Sequence, residues 1–164
     1  METVLSFLVG IGLSAACGFR VFVPLLVMSI ASVTGHLTLS QGFQWIGTCP
    51  ALAAFAVATC LEITSYYVPW VDNLLDTIAT PAAVVAGIIV TASAVTGMTP
   101  FLKWTLAIIA GGGAAGMVQV ATSLTRGAST VTTGGLGNFV VATMEVGGAM
   151  ALSVLAVALS VIAL

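Results

Sequence analysis

Residues 138–163 read NFVVATMEVGGAMALSVLAVALSVIA, an apolar run interrupted by one charge, Glu145. A helix needs about 20 such residues to cross the hydrocarbon core of a bilayer. This run exceeds that length, and no soluble surface can be drawn from it. Its reading as a membrane helix decides the fold, because the rest of the chain has the same character.

Hydrophobic residues make up 60% of the 164 positions and charged ones only 5%, and the mean hydropathy is +1.23. A water-soluble domain carries roughly 25% charged residues, so three Lys/Arg, five Asp/Glu and one His are too few to build one. Lipid removes the requirement. The expectation is a single all-α integral membrane domain over residues 1–164. The chain begins without the basic flank of a signal peptide, so residues 3–18 read as a retained helix. Basic runs are absent, which excludes a nucleic-acid footprint. Cys17, Cys49 and Cys60 are too few and too scattered for a disulfide framework or a metal site, and read as small apolar core residues.

Breaks at charges, prolines, glycines and polar clusters divide the chain into six apolar segments, 3–18, 20–33, 50–68, 80–97, 101–124 and 138–163. The second is short for a crossing and could be re-entrant. Residues 34–49 mix polar and aromatic groups, as an interfacial stretch does, and residues 66–79 pair interfacial aromatics with Asp72 and Asp76. Residues 125–138, TRGASTVTTGGLGN, form the most polar stretch and read as a loop. Gly112-x-x-x-Gly116 and Gly12-x-x-x-Ala16 offer close helix contacts.

Phe55-Ala-Val-Ala-Thr59 followed by Glu62 is echoed by Phe139-Val-Val-Ala-Thr143 followed by Glu145. Arg20 and Lys103 each open a second segment. Halves of residues 1–79 and 80–164, with three segments each, would be antiparallel, the inverted-repeat plan of many transporters. Two arginines on one side against one lysine on the other would make the arginine side cytoplasmic, unless the arginines are buried.

Glu62 and Glu145 sit inside apolar segments, where an ionised carboxylate costs a few kcal/mol or more. They could bind a cation or proton, with Arg20 and Arg126 as balancing charges or contacts for an anionic group; alternatively, the four bridge one another to fix helix packing. In residues 125–138, Ser129, Thr130 and Thr133 add hydroxyls and Asn138 could cap the next helix. With Arg126 such a loop could hold an anion, or its oxygens a cation; it could also be a plain solvated connection. Asp72 and Asp76, four apart, share a helical face and could gather cations at a pore mouth or cap a short helix. His36 is isolated. No catalytic set or cofactor motif stands out.

Three ordered motifs carry a resemblance. They are Gly18-Phe19-Arg20-Val21-Phe22-Val23-Pro24-Leu25-Leu26; Glu62 with Pro69-Trp70-Val71-Asp72-Asn73, Asp76 and Thr80-Pro81; and Thr125-Arg126 with Ser129-Thr130, residues 133–138 and Glu145. Together they resemble the small bacterial membrane proteins grouped as the domain of unknown function numbered 4126. The resemblance implies that these polar residues belong to one site and that the chain resides in a bacterial inner membrane. It names no substrate. At Tyr66-Tyr67-Val68 this sequence lacks the more polar, often acidic approach to the proline, which removes an additional carboxylate there.

The expected function is therefore a small transporter or channel for an ion or small solute, acting as a homo-oligomer in the lipid bilayer. A membrane scaffold is the alternative, and a lipid-acting enzyme at the membrane face a weaker one.

Overall fold

The computed structural model describes residues 2–162, without the side chains of Glu2, residues 69–74, Asp76 and Ile162. Among the described residues the regular structure is all helical, with no strand. The helices are α1 (Glu2–Cys17), α2 (Phe22–Val33), α3 (Cys49–Ser65), α4 (Pro69–Ala94), α5 (Pro100–Leu106), α6 (Gly113–Thr133) and α7 (Asn138–Ile162). A 3-10 turn, Gln44–Gly47, lies in the connection before α3. Helix α5 continues into α6 through a π-helical turn, Ala107–Gly112, so that Pro100–Thr133 is one rod of 34 residues.

Three helical stretches are long and apolar enough to cross a membrane: Thr77–Ala94, Pro100–Thr133 and Asn138–Val161. Helices α1, α2 and α3 are apolar but shorter, at 16, 12 and 17 residues. At 1.5 Å per residue α2 reaches only about 18 Å, well short of a hydrocarbon core about 30 Å thick. The turn between α1 and α2 carries Arg20, which meets α7 at Ala142 and Glu145, one to two turns beyond the start of that helix. With α5 and α6 taken as one rod, successive helices alternate direction, which gives the bundle two ends. Residues 18–21, 66–68 and 134–137 mark the Arg20 end; residues 34–48 and 95–99 mark the Lys103 end.

The bundle is built around α1, which packs against α4, α7, α6 and α2. Its interior holds an apolar core, with Val9, Leu13, Met28, Ile46 and Val90 fully buried, together with a set of paired polar groups, while many large apolar side chains face outward. Ser14 Oγ donates to Gly87 O at 2.6 Å and lies 2.7 Å from Thr91 Oγ1, which donates to Gly10 O at 3.2 Å. On α6 the buried positions are Ala115, Gln119, Thr122 and Arg126, while Met117, Val120, Leu124 and Val131 face outward. That inversion suits a lipid surround, where apolar side chains lose nothing by exposure and backbone groups must pair internally.

Small residues set the closest contacts, as their spacing suggested. A Cβ on Gly12 would meet Ala156 Cβ at 3.0 Å, and one on Gly116 would meet Val84 Cγ2 at 3.2 Å. Backbone also meets backbone between Gly87 of α4 and Gly111 of the π-helical turn. A Cβ on either would lie within 2.8 Å of the other's carbonyl oxygen.

Several boundaries differ from the sequence reading. The polar stretch 125–138 is not a loop: α6 runs to Thr133, and only residues 134–137 connect it to α7. Its threonine hydroxyls are satisfied within the helix, because Thr125, Thr130, Thr132 and Thr133 donate to the carbonyls of Ala121, Arg126, Ala128 and Ser129. Threonine and serine accept this back-bonding readily. Gly134, in the left-handed region at φ +63°, then ends the helix.

Similarly, α4 starts at Pro69 rather than near residue 80, since proline is tolerated at a first helical position. Pro81 removes one rung of the ladder without ending the helix, as happens in membrane helices. Cys49 and Cys60 are exposed on α3, so only Cys17 is a core residue. Helix α3 packs chiefly on α2, which leaves most of its circumference, and both thiols, to the surround.

Candidate functional site

The site lies one to two turns inside the Arg20 end. Glu145 is the eighth residue of α7, about 10 Å from the helix start at 1.5 Å per residue, and faces inward between Ala142 and Ala149, both buried. Arg126 sits two turns before the end of α6 on its buried stripe. Its Nε donates to Glu145 Oε1 at 2.9 Å, and its Nη2 donates to Oε2. The paired geometry matches the planar fork of a guanidinium to a carboxylate.

Arg20 approaches the same carboxylate from the α1–α2 turn. Its Nη2 lies 3.0 Å from Glu145 Oε2 and donates to Ala142 O at 3.1 Å. Glu145 thus joins two cations, and all three residues are no more than 4% exposed. Arg20 Nε and Nη1 have no hydrogen-bond partner among the described residues. Tyr66, which follows the last turn of α3, supplies an aromatic face for both guanidinium groups. The Arg20 carbon is 3.7 Å and the Arg126 carbon 4.4 Å from its ring centre, within the range of cation–π attraction.

Glu62 is next to this group but has other work. Its Oε1 accepts from Val21 N at 2.7 Å and its Oε2 from Phe22 N at 3.0 Å. Those amides begin α2 and lack partners within the helix. A carboxylate there also faces the positive end of the helix dipole. Glu62 therefore secures the short helix α2 to α3 and holds Arg20, immediately before it, in position. The expected bridge from Glu62 to an arginine is replaced by this capping contact.

The other candidates separate into three groups. Thr130, Thr133 and Ser129 lie on the last turns of α6, between Arg126 and the connection. Thr130 Oγ1 accepts from Asn138 Nδ2 at 3.0 Å, and Thr133 Oγ1 accepts from Gly137 N at 2.9 Å. Asn138 Oδ1 has no donor among the described residues, so it does not cap α7; Ser129 Oγ is likewise unpartnered. These groups tie α6 to α7 above the arginines rather than forming an anion-holding loop, because the helix consumes the amides such a loop would offer. The side chains of Asp72 and Asp76 lie outside the described residues. His36 is exposed at the opposite end, with Nδ1 2.9 Å from Thr34 Oγ1, and Lys103 is at that end too. No group of three or more metal-ligating side chains occurs among the described residues.

Sequence reasoning missed Tyr66, assigning it to an interfacial belt. A signal was present: Glu62 and Tyr66 are four apart, and on a helix such residues share a face. Burial of both arginines also removes the charge count that would have made their side cytoplasmic. The positive-inside rule counts loop residues, and Arg126 is in a helix core.

Taken together, these features define an all-helical protein with three helices long and apolar enough to cross a membrane, and with Arg20, Glu62, Arg126 and Glu145 gathered inside one end of the bundle. The chain belongs to the family described as Domain of unknown function (DUF4126), whose model matches residues 7–164. The match covers nearly the whole chain and includes every residue of the cluster. Neither a curated protein nor a solved structure matches the chain.

Proposed function

We propose that the protein is a small membrane transporter, with Arg20, Glu145, Arg126 and Tyr66 as the closed centre through which a small solute passes. The observation that carries this reading is the incomplete satisfaction of Arg20. Leaving a buried donor unpaired costs about 1–3 kcal/mol, and more for a charged group. A cluster that served packing alone would gain from completing its bonds or from apolar replacement. Two unpaired N–H-bearing nitrogens beside a second arginine favour a solute with an anionic group, such as a carboxylate or phosphate. Glu62 and Glu145 already accept from N–H donors, which disfavours them as cation ligands.

The same reading takes the chain as two inverted halves, residues 1–79 and 80–164, in a homo-oligomer in a bacterial inner membrane. Arg20 and Lys103 precede or open the second helix of each half and lie at opposite ends, the relation inverted halves produce. The six apolar segments would then all enter the bilayer, the short α2 as a re-entrant or tilted element.

A scaffold is the second reading, favoured by the paired Arg126–Glu145 geometry and by the capping role of Glu62. Flux assays separate the two. The full chain is reconstituted in liposomes and challenged with small carboxylates and phosphate esters, with cations and protons as comparison. Transport predicts uptake of an anionic solute that Arg20→Gln abolishes while the variant still elutes as a folded species. A scaffold predicts no flux for any solute, with the substitution lowering only the thermal midpoint.

A further inference from the structure

At the end of the bundle opposite the arginine cluster, a pocket of about 520 Å³ opens between the 39–41 segment and the α4–α5 connection. Leu39, Ser40, Gln41, Thr96, Met98 and Lys103 are among its walls. Lys103 is the one lysine in the chain. Its Nζ donates to Ser40 Oγ at 3.1 Å and lies 5.4 Å from the centre of the Phe43 ring. The Ser40 hydroxyl is held in turn, donating to Ala92 O at 3.0 Å, while Ser40 N donates to Ser93 O at 2.8 Å. The ammonium is thus fixed against the end of α4, with donor capacity left facing the pocket.

Among the described residues no carboxylate lies within ion-pair distance of Lys103, whereas the guanidinium of Arg20 and that of Arg126 each meet Glu145. The level of the pocket is set by its neighbours. Trp45, Phe101 and Trp104 are exposed at this end, and aromatic side chains concentrate where the hydrocarbon core meets the headgroups. At that level the abundant anion is the phosphate of a lipid. A lysine there meets it as a compact point charge, with Ser40, Gln41 and Thr96 as polar company.

From these observations we infer that the Lys103 pocket seats the phosphate of an anionic membrane lipid. The site is separate from the arginine cluster, and the inference does not rest on the transport reading. Its partner is the lipid headgroup and not a soluble anion. The dipole of α4 also gains from a cation near its last carbonyls, and that contribution is the same whichever lipid is present.

The test uses the full chain in neutral detergent and follows thermal unfolding during titration with phosphatidylglycerol, phosphatidylcholine or inorganic phosphate. Phosphatidylglycerol is expected to raise the midpoint saturably, and phosphatidylcholine and inorganic phosphate are expected to leave it unmoved. Lys103→Gln should weaken the apparent phosphatidylglycerol affinity about fivefold, the scale of one basic side chain at an anionic surface. Lys103→Arg and the control His36→Gln should retain it. Because each variant is compared with itself in the two lipids, a general loss of stability cancels. An unchanged phosphatidylglycerol response in Lys103→Gln would overturn the inference. So would a Lys103-dependent response to inorganic phosphate alone, which would assign the pocket to a soluble anion.

Discussion

Replacing Glu145 with glutamine keeps the size of the side chain and removes its charge. In the structure that carboxylate is the shared partner of Arg126, through both oxygens, and of Arg20. Both guanidinium groups are almost wholly buried, so neither can recover its hydration by turning outward. Removing one partner of a buried ion pair costs about 3–5 kcal/mol, chiefly because the remaining charge is stranded. Glutamine still offers one carbonyl oxygen, which places the expectation toward the lower part of that range. For a chain of this length each kcal/mol moves the thermal midpoint by about 2–4 °C, so Glu145→Gln should lower it by roughly 6–15 °C. The assay is thermal unfolding of the purified chain in detergent, followed by a tryptophan signal or by aggregation. A fall of less than about 2 °C, under 1 kcal/mol on that conversion, would show that the arginines are hydrated and that the cluster is not a desolvated centre.

Glu62→Gln should be milder, about 1–2 kcal/mol, because glutamine keeps an acceptor for Val21 N or Phe22 N and loses mainly the charge at the helix start; the same melting assay ranks the two variants. Gly87→Ala should destabilise by about 1–3 kcal/mol, since its Cβ would sit 2.6 Å from Ala115 Cβ. Gly113→Ala, which meets nothing within 4 Å, should be neutral in that assay. Thiol labelling in membranes should follow exposure: Cys49 and Cys60 react with a lipid-permeant maleimide and Cys17 does not, as read by the mass of the labelled chain. Tyr66→Ala removes the ring face against which both guanidinium groups lie and should destabilise by about 1–2 kcal/mol, read in the same melting assay.

The apolar segments were legible because lipid imposes a blunt rule: a helix interior to a membrane cannot carry ordinary surface chemistry. Boundaries failed where that rule was applied to punctuation. Pro81 marked a break that helix α4 passes through, and the glycines and hydroxyls after Arg126 marked a loop that is mostly helix. In water, threonine and glycine weaken a helix because the backbone has solvent as a competitor. Within or beside lipid the competitor is absent, and Thr125, Thr130, Thr132 and Thr133 return their hydroxyls to the preceding turn. The residue types were read correctly and the solvent against which they were judged was not.

The charged residues illustrate a second limit. Composition singled out Arg20, Glu62, Arg126 and Glu145 because charge is scarce, and the fold brings all four to one end of the bundle. Their roles could not be read from scarcity. Glu62 and Glu145 look equivalent in sequence, each following a Phe-x-x-Ala-Thr pattern in a third segment. What separates them is the length of α2. With only 12 residues, α2 starts at the depth of Glu62, so its free amides claim that carboxylate and leave Glu145 alone between two arginines. Arg20, positioned one residue before those amides, is then held by its neighbours' bonds more than by its own. That arrangement explains how a buried guanidinium can stay with unpaired donors: its backbone is fixed by Glu62 and its Nη2 by Glu145 and Ala142 O, so it cannot swing to complete the rest. On the transport reading proposed above, such a fixed and unfinished group is what a passing solute would meet, so Glu62→Gln is expected to lower uptake of an anionic solute in the liposome flux assay even though Glu62 does not touch that solute.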